Sequence, residues 1–495
     1  MDRRIELDCN SVDDYKLFLQ IKALPAYRFV GRTAYVAERY ARKLGLSPKK
    51  RKRLPVKPSH FLFDYQRDIA RMAIEKQKFA IFADCGLGKT LMFMEYAAHV
   101  NKVLPSGQAI LLVSPLMVVE QTVEECRRFY GNAMEWEYIS AKRLPEWLGS
   151  GGRFGITNYE AMRDDVPQGR LGALIVDESS MLKSHYGKWG GTILRLGRGL
   201  DWKLCGTGTP APNDRIEYAN HAVFMDAFPN VNSFLARFFV NRGQTQGRWE
   251  LKAHAVRPFY QALSDWAIFL TNPATYGWRD HSGDIPPIHV HIHDVPLTTA
   301  QTVALQNHTG DLFTTSLGGI SSRSKIAQIS KGTVNGEKVD TNKPAYIRGL
   351  VESWPEESTI IWCHYNAEQA IMANTFPEAA SISGDTPHDK RMEMVADFKA
   401  GRIQILISKP KILGFGLNLQ IATRQLFSGL QDSYEQFYQA VKRSNRVGST
   451  RPLNVHIPVT EAEWPMVQNV LRKADRVQAD GEHQEALFHE HSFRT

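Results

Sequence analysis

Phe79-Ala80-Ile81-Phe82-Ala83-Asp84-Cys85-Gly86-Leu87-Gly88-Lys89-Thr90 is the stretch on which the reading of this 495-residue chain turns. Its first four residues form an apolar run of strand length, and a helical pattern follows Thr90. The turn between them carries glycines at 86 and 88, which let backbone N–H groups close around phosphate oxygens. A helix that starts at Lys89 turns its positive dipole end toward the same negative charge. In that arrangement Gly86, Leu87 and Gly88 line a phosphate cradle, Lys89 reaches the β and γ phosphates of ATP, and Thr90 holds Mg²⁺. The strict pattern has glycine where Ala83 stands. A chance glycine-rich turn is the competing reading, and the strand before and the helix after weigh against it.

Working outward, residues 109–113, 154–157, 173–176 and 204–206 repeat the short apolar run, each separated by enough chain for a crossover helix. That alternation predicts an α/β fold with a parallel sheet covered on both faces. It resumes after Pro286 and Pro287, with candidate strands at 359–363, 403–407, 425–427 and 453–458. The expected organisation is a small basic N-terminal module and linker over residues 1–60 and a first, ATP-binding lobe over 61–215. A helical insertion over 216–285, rich in aromatics such as Phe234, Phe238 and Trp249, and a second lobe over 286–495 complete it.

The second chemical signal is Leu174-Ile175-Val176-Asp177-Glu178-Ser179-Ser180, a strand that delivers two adjacent carboxylates at its C-terminal end. One is needed to hold Mg²⁺ and the other to take a proton from an attacking water, and Asp177 and Glu178 are assigned those roles in that order. Alone, such a pair is more often structural; behind a phosphate loop it is the expected partner. Gln439-Ala440-Val441-Lys442-Arg443-Ser444-Asn445-Arg446 supplies the third part. Its two arginines, three apart, share one face of a helix or helix end and can stabilise the charge that develops on a transferred phosphoryl group. A solvated basic face is the alternative for the arginines taken by themselves.

Bulk properties narrow the class. With 43% hydrophobic residues and no low-complexity tract the chain is not of the disordered kind, and its length calls for more than one core. No run of 18 apolar residues and no signal-peptide core is present, so a cytoplasmic protein without membrane contact is expected, nucleoid-associated or, for a viral chain, in the host cytoplasm. Five scattered cysteines without a C-x-x-C pair suggest neither disulfides nor zinc. The net charge of +9 is local: residues 1–60 hold 15 Lys/Arg against 6 Asp/Glu, and the remainder is balanced at 46 against 46. Lys49, Lys50, Arg51, Lys52 and Arg53 form its densest part, the pattern of a phosphate-contacting segment as well as of a solubilising surface.

The motifs, taken in order from about residue 63 to 458, resemble the Swi/Snf-type branch of helicase superfamily 2, in its compact prokaryotic or viral form. Phe63-Asp64-Tyr65-Gln66 is similar to the family's adenine-reading glutamine motif, and the alanine at 83 is a variant the superfamily commonly carries. Ser114-Pro115-Leu116 and Thr157-Asn158-Tyr159-Glu160 resemble its DNA-tracking motifs in the first lobe. Asp177-Glu178-Ser179-Ser180-Met181-Leu182-Lys183 resembles its acidic segment, and Thr207-Gly208-Thr209-Pro210 its coupling motif. Ile360-Ile361-Trp362-Cys363-His364 and Gly414-Phe415-Gly416-Leu417-Asn418-Leu419 resemble second-lobe motifs. Leu413 stands where the family has a second glycine, and Lys442, Asn445 and Ser449 replace its usual Asp, His and Gln around the arginines.

The resemblance implies two RecA-like lobes, ATP and Mg²⁺ as cofactors and double-stranded DNA as partner; the oligomeric state is open, with a monomer favoured. It places Gln66 and Gly416 beside the nucleotide, with Lys89, Asp177, Glu178, Arg443 and Arg446 catalytic and Ser114, Pro115, Thr157 and Lys411 near the DNA. The implied activity is ATP-driven translocation along the duplex. A strand-separating DNA or RNA helicase and a slowly hydrolysing, nucleotide-switched DNA clamp are the alternatives. His289, His291 and His293 alternate along one strand face, where a solvated surface outweighs a metal site.

Overall fold

The computed structural model describes residues 2–24, 27–37, 40–47, 56–182, 188–243, 249–279, 285–309, 320–413, 417–430, 433–446 and 448–492. Two compact units emerge, one built mainly from residues up to 280 and the other mainly from 281 to 478; the residues from 479 onward group with the first.

The first unit opens with a three-stranded antiparallel sheet of β1 (Asp2–Glu6), β2 (Arg28–Val30) and β3 (Thr33–Ala37), crossed by α1 (Val12–Ala23). Ser11 caps α1 by accepting from the Asp14 amide at 3.2 Å. This module is not a free appendage: Ile21, Leu24, Ala34, Val36 and Tyr40 belong to the same apolar cluster as the main sheet. Arg237 donates to the Leu24 carbonyl at 2.9 Å, and the Tyr40 hydroxyl meets the Asp265 carboxylate.

The main sheet follows from α2 (Asp64–Lys76), β4 (Lys78–Ala83), α3 (Lys89–Val103), β5 (Ala109–Ser114), α4 (Leu116–Tyr130), β6 (Trp136–Tyr138), α5 (Leu144–Ser150), β7 (Phe154–Asn158), β8 (Leu171–Asp177), α6 (Lys188–Leu196) and β9 (Trp202–Thr207). Next come α7 (Tyr218–Phe224), α8 (Val231–Phe238), the hairpin β10 (Phe239–Asn241) and β11 (Trp249–Leu251), α9 (Val256–Ser264) and β12 (Ala267–Leu270). Seven parallel strands run in the order β12-β4-β9-β8-β5-β7-β6. β5 and β8 are apolar and buried almost throughout, as a sheet covered on both faces requires.

The segment expected as a helical insertion therefore differs from that reading. It contains three strands besides its helices, and β12 pairs with β4, Ala267 opposite Ala80 and Leu270 opposite Ala83. Its aromatics Phe234, Phe238 and Phe259 are buried in the core of the first lobe. The reason is the exposed edge that β4 would otherwise present: the four apolar residues of β12 satisfy its backbone and cover it.

The second unit holds β13 (Ile288–Asp294), α10 (Thr299–Thr309), α11 (Ile320–Ser330), the short pair β14 (Thr333–Val334) and β15 (Glu337–Lys338), α12 (Lys343–Ser353), β16 (Thr359–Trp362), α13 (Asn366–Thr375), β17 (Ala380–Ser381), α14 (His388–Lys399), β18 (Ile405–Ser408), α15 (Pro410–Leu413), β19 (Arg424–Phe427), α16 (Tyr434–Val441) and β20 (Leu453–Val459). Six parallel strands form its sheet, ordered β13-β20-β19-β16-β18-β17. A last helix, α17 (Trp464–Ser492), begins in this unit, and its end groups with the first: Asp480 takes Arg215 at 2.5 Å and the Tyr260 hydroxyl at 2.8 Å. Two of the β13 histidines stack on a histidine of β20, with His291 and His293 rings 4.8 and 5.2 Å from that of His456. Among the described residues no His, Cys, Asp and Glu group is arranged to hold a metal, and no helix is long and apolar enough to cross a membrane. None of the five cysteines forms a disulfide.

Candidate active site

In the first sheet, the phosphate loop, the acidic pair and Thr207 follow or end the carboxyl ends of strands, the edge where open α/β sheets take ligands. β4 ends at Ala83, and α3 starts at Lys89. Between them Gly86 and Gly88 have φ of 88° and 71°, the left-handed region in which a Cβ is strained. A Cβ at Gly88 would also stand 2.2 Å from Nε2 of Gln66. The Lys89 ammonium lies in the same turn, donating to the carbonyls of Ala83 at 2.7 Å and Asp84 at 3.2 Å. Gln66, buried at the start of α2, accepts from the Phe63 amide at 3.0 Å, which fixes its amide group against the loop. Thus Gln66, Gly88 and Lys89 converge; Thr90 follows in the first turn of α3, and Leu87 lies between the two glycines.

Two strands across, β8 ends on Asp177, and Glu178 departs from the strand with φ of 53°. Asp177 is held twice: Oδ1 accepts from the Glu178 amide at 2.9 Å and Oδ2 from the Ser114 hydroxyl at 3.0 Å. Glu178 Oε1 accepts from Thr207 at 2.6 Å and from Ser180 at 3.2 Å. Thr207 ends β9, the strand between β4 and β8, where its backbone pairs with Phe82 while Gly206 pairs with Asp177. Its hydroxyl also accepts from the Thr209 amide at 3.1 Å. The turn behind the pair is anchored by His221, whose Nε2 lies 3.0 Å from the Ser179 hydroxyl; burial pushes this imidazole down to about 4, so it is neutral. The sequence carried no signal for His221, which stands 42 residues beyond its partner.

The structure buries two of the residues expected near DNA. Ser114 and Thr157 have no exposed surface: the first hydroxyl is spent on Asp177, and the second donates to the Ile139 carbonyl at 2.7 Å. Both side chains are turned into the lobe. Pro115 is half-buried directly after β5, and in the second unit Lys411 is exposed on α15. Lys49, Lys50, Arg51, Lys52, Arg53 and Gly416 lie outside the described residues.

In the second unit both arginines follow α16 in a turn. Arg443 is buried and donates through Nε to the Gln439 carbonyl at 3.1 Å. Arg446 is half-buried; its amide donates to Ser449 Oγ at 3.2 Å. Desolvation, and then Arg446, lowers the Lys399 pKa. Asn445, where the family's histidine is expected, donates to the Pro286 carbonyl at 2.7 Å and ties the turn to the start of the lobe.

Residues 65–345 match the SNF2-related domain family, and residues 342–448 match the helicase conserved C-terminal domain. The chain belongs to the SNF2-related family of helicase superfamily 2. As such it is a DNA-dependent ATPase with two RecA-like lobes. Among its relatives is protein p41 of Acyrthosiphon pisum secondary endosymbiont phage 1, 23% identical over 79% of this chain and 91% of that protein. Another is the SWI/SNF-related matrix-associated actin-dependent regulator of chromatin subfamily A-like protein 1 of Drosophila melanogaster, 23% identical over 82% of this chain, which spans 55% of that relative's length. Of solved structures, the Sulfolobus solfataricus SWI2/SNF2 ATPase core in complex with dsDNA is 17% identical, with 88% of this chain and 97% of that one covered and a TM-score of 0.41.

Proposed function

We propose that this SNF2-related ATPase translocates along double-stranded DNA, driven by ATP hydrolysis at the carboxyl edge of its first sheet. The observation that carries the reading is the placing of phosphate loop, acidic pair and Thr207 on the adjacent strands β4, β8 and β9. Gln66 and the glycines at 86 and 88 would take adenine and phosphates, and Lys89 would neutralise the phosphate tail. The residues fit a magnesium nucleotide: a turn with glycines at positive φ whose backbone amides can face phosphate oxygens, a hydroxyl at Thr90 and a carboxylate at Asp177. Mg²⁺, held by Thr90 and Asp177, would neutralise charge on the phosphates. Glu178 takes the proton of the attacking water as its oxygen bonds to the γ phosphorus and the bond to the β–γ bridging oxygen breaks, leaving ADP and phosphate. Arg446 stabilises the charge on the transferred group, with Arg443 assisting.

Hydrolysis rates with duplex DNA, single-stranded DNA and RNA, measured side by side, test the substrate. Duplex should stimulate most, and a triplex-forming strand should be displaced without separation of the duplex beneath it. Efficient opening of a simple fork instead assigns the chain to strand separation, and DNA binding with negligible turnover assigns it to a clamp.

A further inference from the structure

Tyr159 opens the turn that follows β7 and is 2% exposed, its ring packed 5.8 Å from that of Trp189. The phenol is a polar group in a buried place and so needs partners. It lies 2.5 Å from the carbonyl oxygen of Asp177 and 3.1 Å from that of Glu178. These two carbonyls belong to the peptides on either side of Glu178, the residue whose φ of 53° a side chain rarely tolerates. One hydroxyl therefore bridges the two peptide groups that define the strained turn. From the other side, Thr207 and Ser180 grip the Glu178 carboxylate. A backbone free to return to negative φ would swing that side chain away from both.

We propose that Tyr159 is a positioning residue for hydrolysis, holding the left-handed turn at Glu178 through its bridge to the Asp177 and Glu178 carbonyls. In this role it acts through Glu178, so the inference rests on Glu178 being the general base. The aromatic ring accounts for the packing, and the hydroxyl supplies the bridge between the two carbonyls of the turn.

Tyr159→Phe keeps the ring and removes the bridge. In the full chain with saturating duplex DNA, kcat should fall about tenfold, the worth of one net hydrogen bond, with KM for ATP within about twofold of wild type and the melting temperature retained. In a Glu178→Gln background the same change should alter the residual rate by less than about twofold, because no base remains to be positioned. A wild-type kcat for Tyr159→Phe overturns the proposal, as does an equal loss in both backgrounds or a parallel loss of binding and melting temperature, which marks a merely structural tyrosine. Near-normal turnover of Glu178→Gln removes the base assignment itself. An inactive Glu178→Gln beside a fully active Tyr159→Phe removes only the role of the tyrosine.

Discussion

Replacing Thr207 by valine isolates what the end of β9 does for the acidic pair. Thr207 is fully buried and valine has nearly its shape, so little changes in packing while the hydroxyl is lost. Two interactions go with it. The 2.6 Å bond to Glu178 Oε1 joins a hydroxyl to a carboxylate, a class worth about 1.5–3 kcal/mol. The 3.1 Å bond from the Thr209 amide loses its acceptor, leaving a buried N–H at a cost of about 1–3 kcal/mol. Ser180 remains on the same carboxylate oxygen at 3.2 Å and offsets part of the first term, so the lower half of that range applies to catalysis. About 1.4–2 kcal/mol expressed in the transition state corresponds to a drop in kcat of roughly 10- to 30-fold. Gln66, Gly88 and Lys89 are untouched, so KM for ATP should stay near wild type, and Thr207→Ser should restore most of the rate. Steady-state ATPase with saturating duplex DNA, alongside thermal melting, measures both terms. A Thr207→Val enzyme that melts about as expected but turns over at the wild-type rate would falsify the claim that this hydroxyl orients Glu178.

Arg446→Ala should lower kcat by at least about tenfold while ATP binding, followed by equilibrium titration, stays within a few-fold; an equal loss of both contradicts the transition-state role. Acid should destabilise the first lobe through His221: burial holds its pKa at about 4, the unfolded chain takes the proton near 6.5, and so stability is full above about 6.5 and falls as pH drops toward 4. By pH 5 the loss is about 2 kcal/mol, and melting curves of His221→Asn should show a shallower dependence between those pH values; an unchanged slope acquits the residue. Neutralising Lys49, Lys50, Arg51, Lys52 and Arg53 should weaken duplex binding and lower the slope of log affinity against log salt by roughly 0.9 for each DNA phosphate they cease to neutralise, with ATPase at saturating DNA preserved; an identical slope assigns that charge to solubility alone.

What the sequence made legible is what local backbone chemistry dictates. Gly86 and Gly88 stand where φ is positive, and Asp177 and Glu178 stand at a strand end, so pattern and structure coincide there. Both parallel sheets were readable because buried strands are written as short apolar runs, and β4, β5, β7, β8 and β9 coincide with them. Partners supplied by distant chain were not. Ser114 meets Asp177 from 63 residues away, a buried contact that its motif did not announce. β12 is four residues long and set among aromatics that also suit a helix, so only the open edge of β4 explains why it is a strand.

The acidic pair shows how one sheet gives two adjacent carboxylates different tasks. β8 lies between β5 and β9, and each neighbour ends in a hydroxyl: Ser114 turns to Asp177, Thr207 to Glu178. Asp177 is the last residue of the strand and keeps its direction, while Glu178, at positive φ, leaves it for the side of β9. β9 is also the neighbour of β4 and its phosphate loop, so Glu178 is turned toward the strand that adjoins the loop.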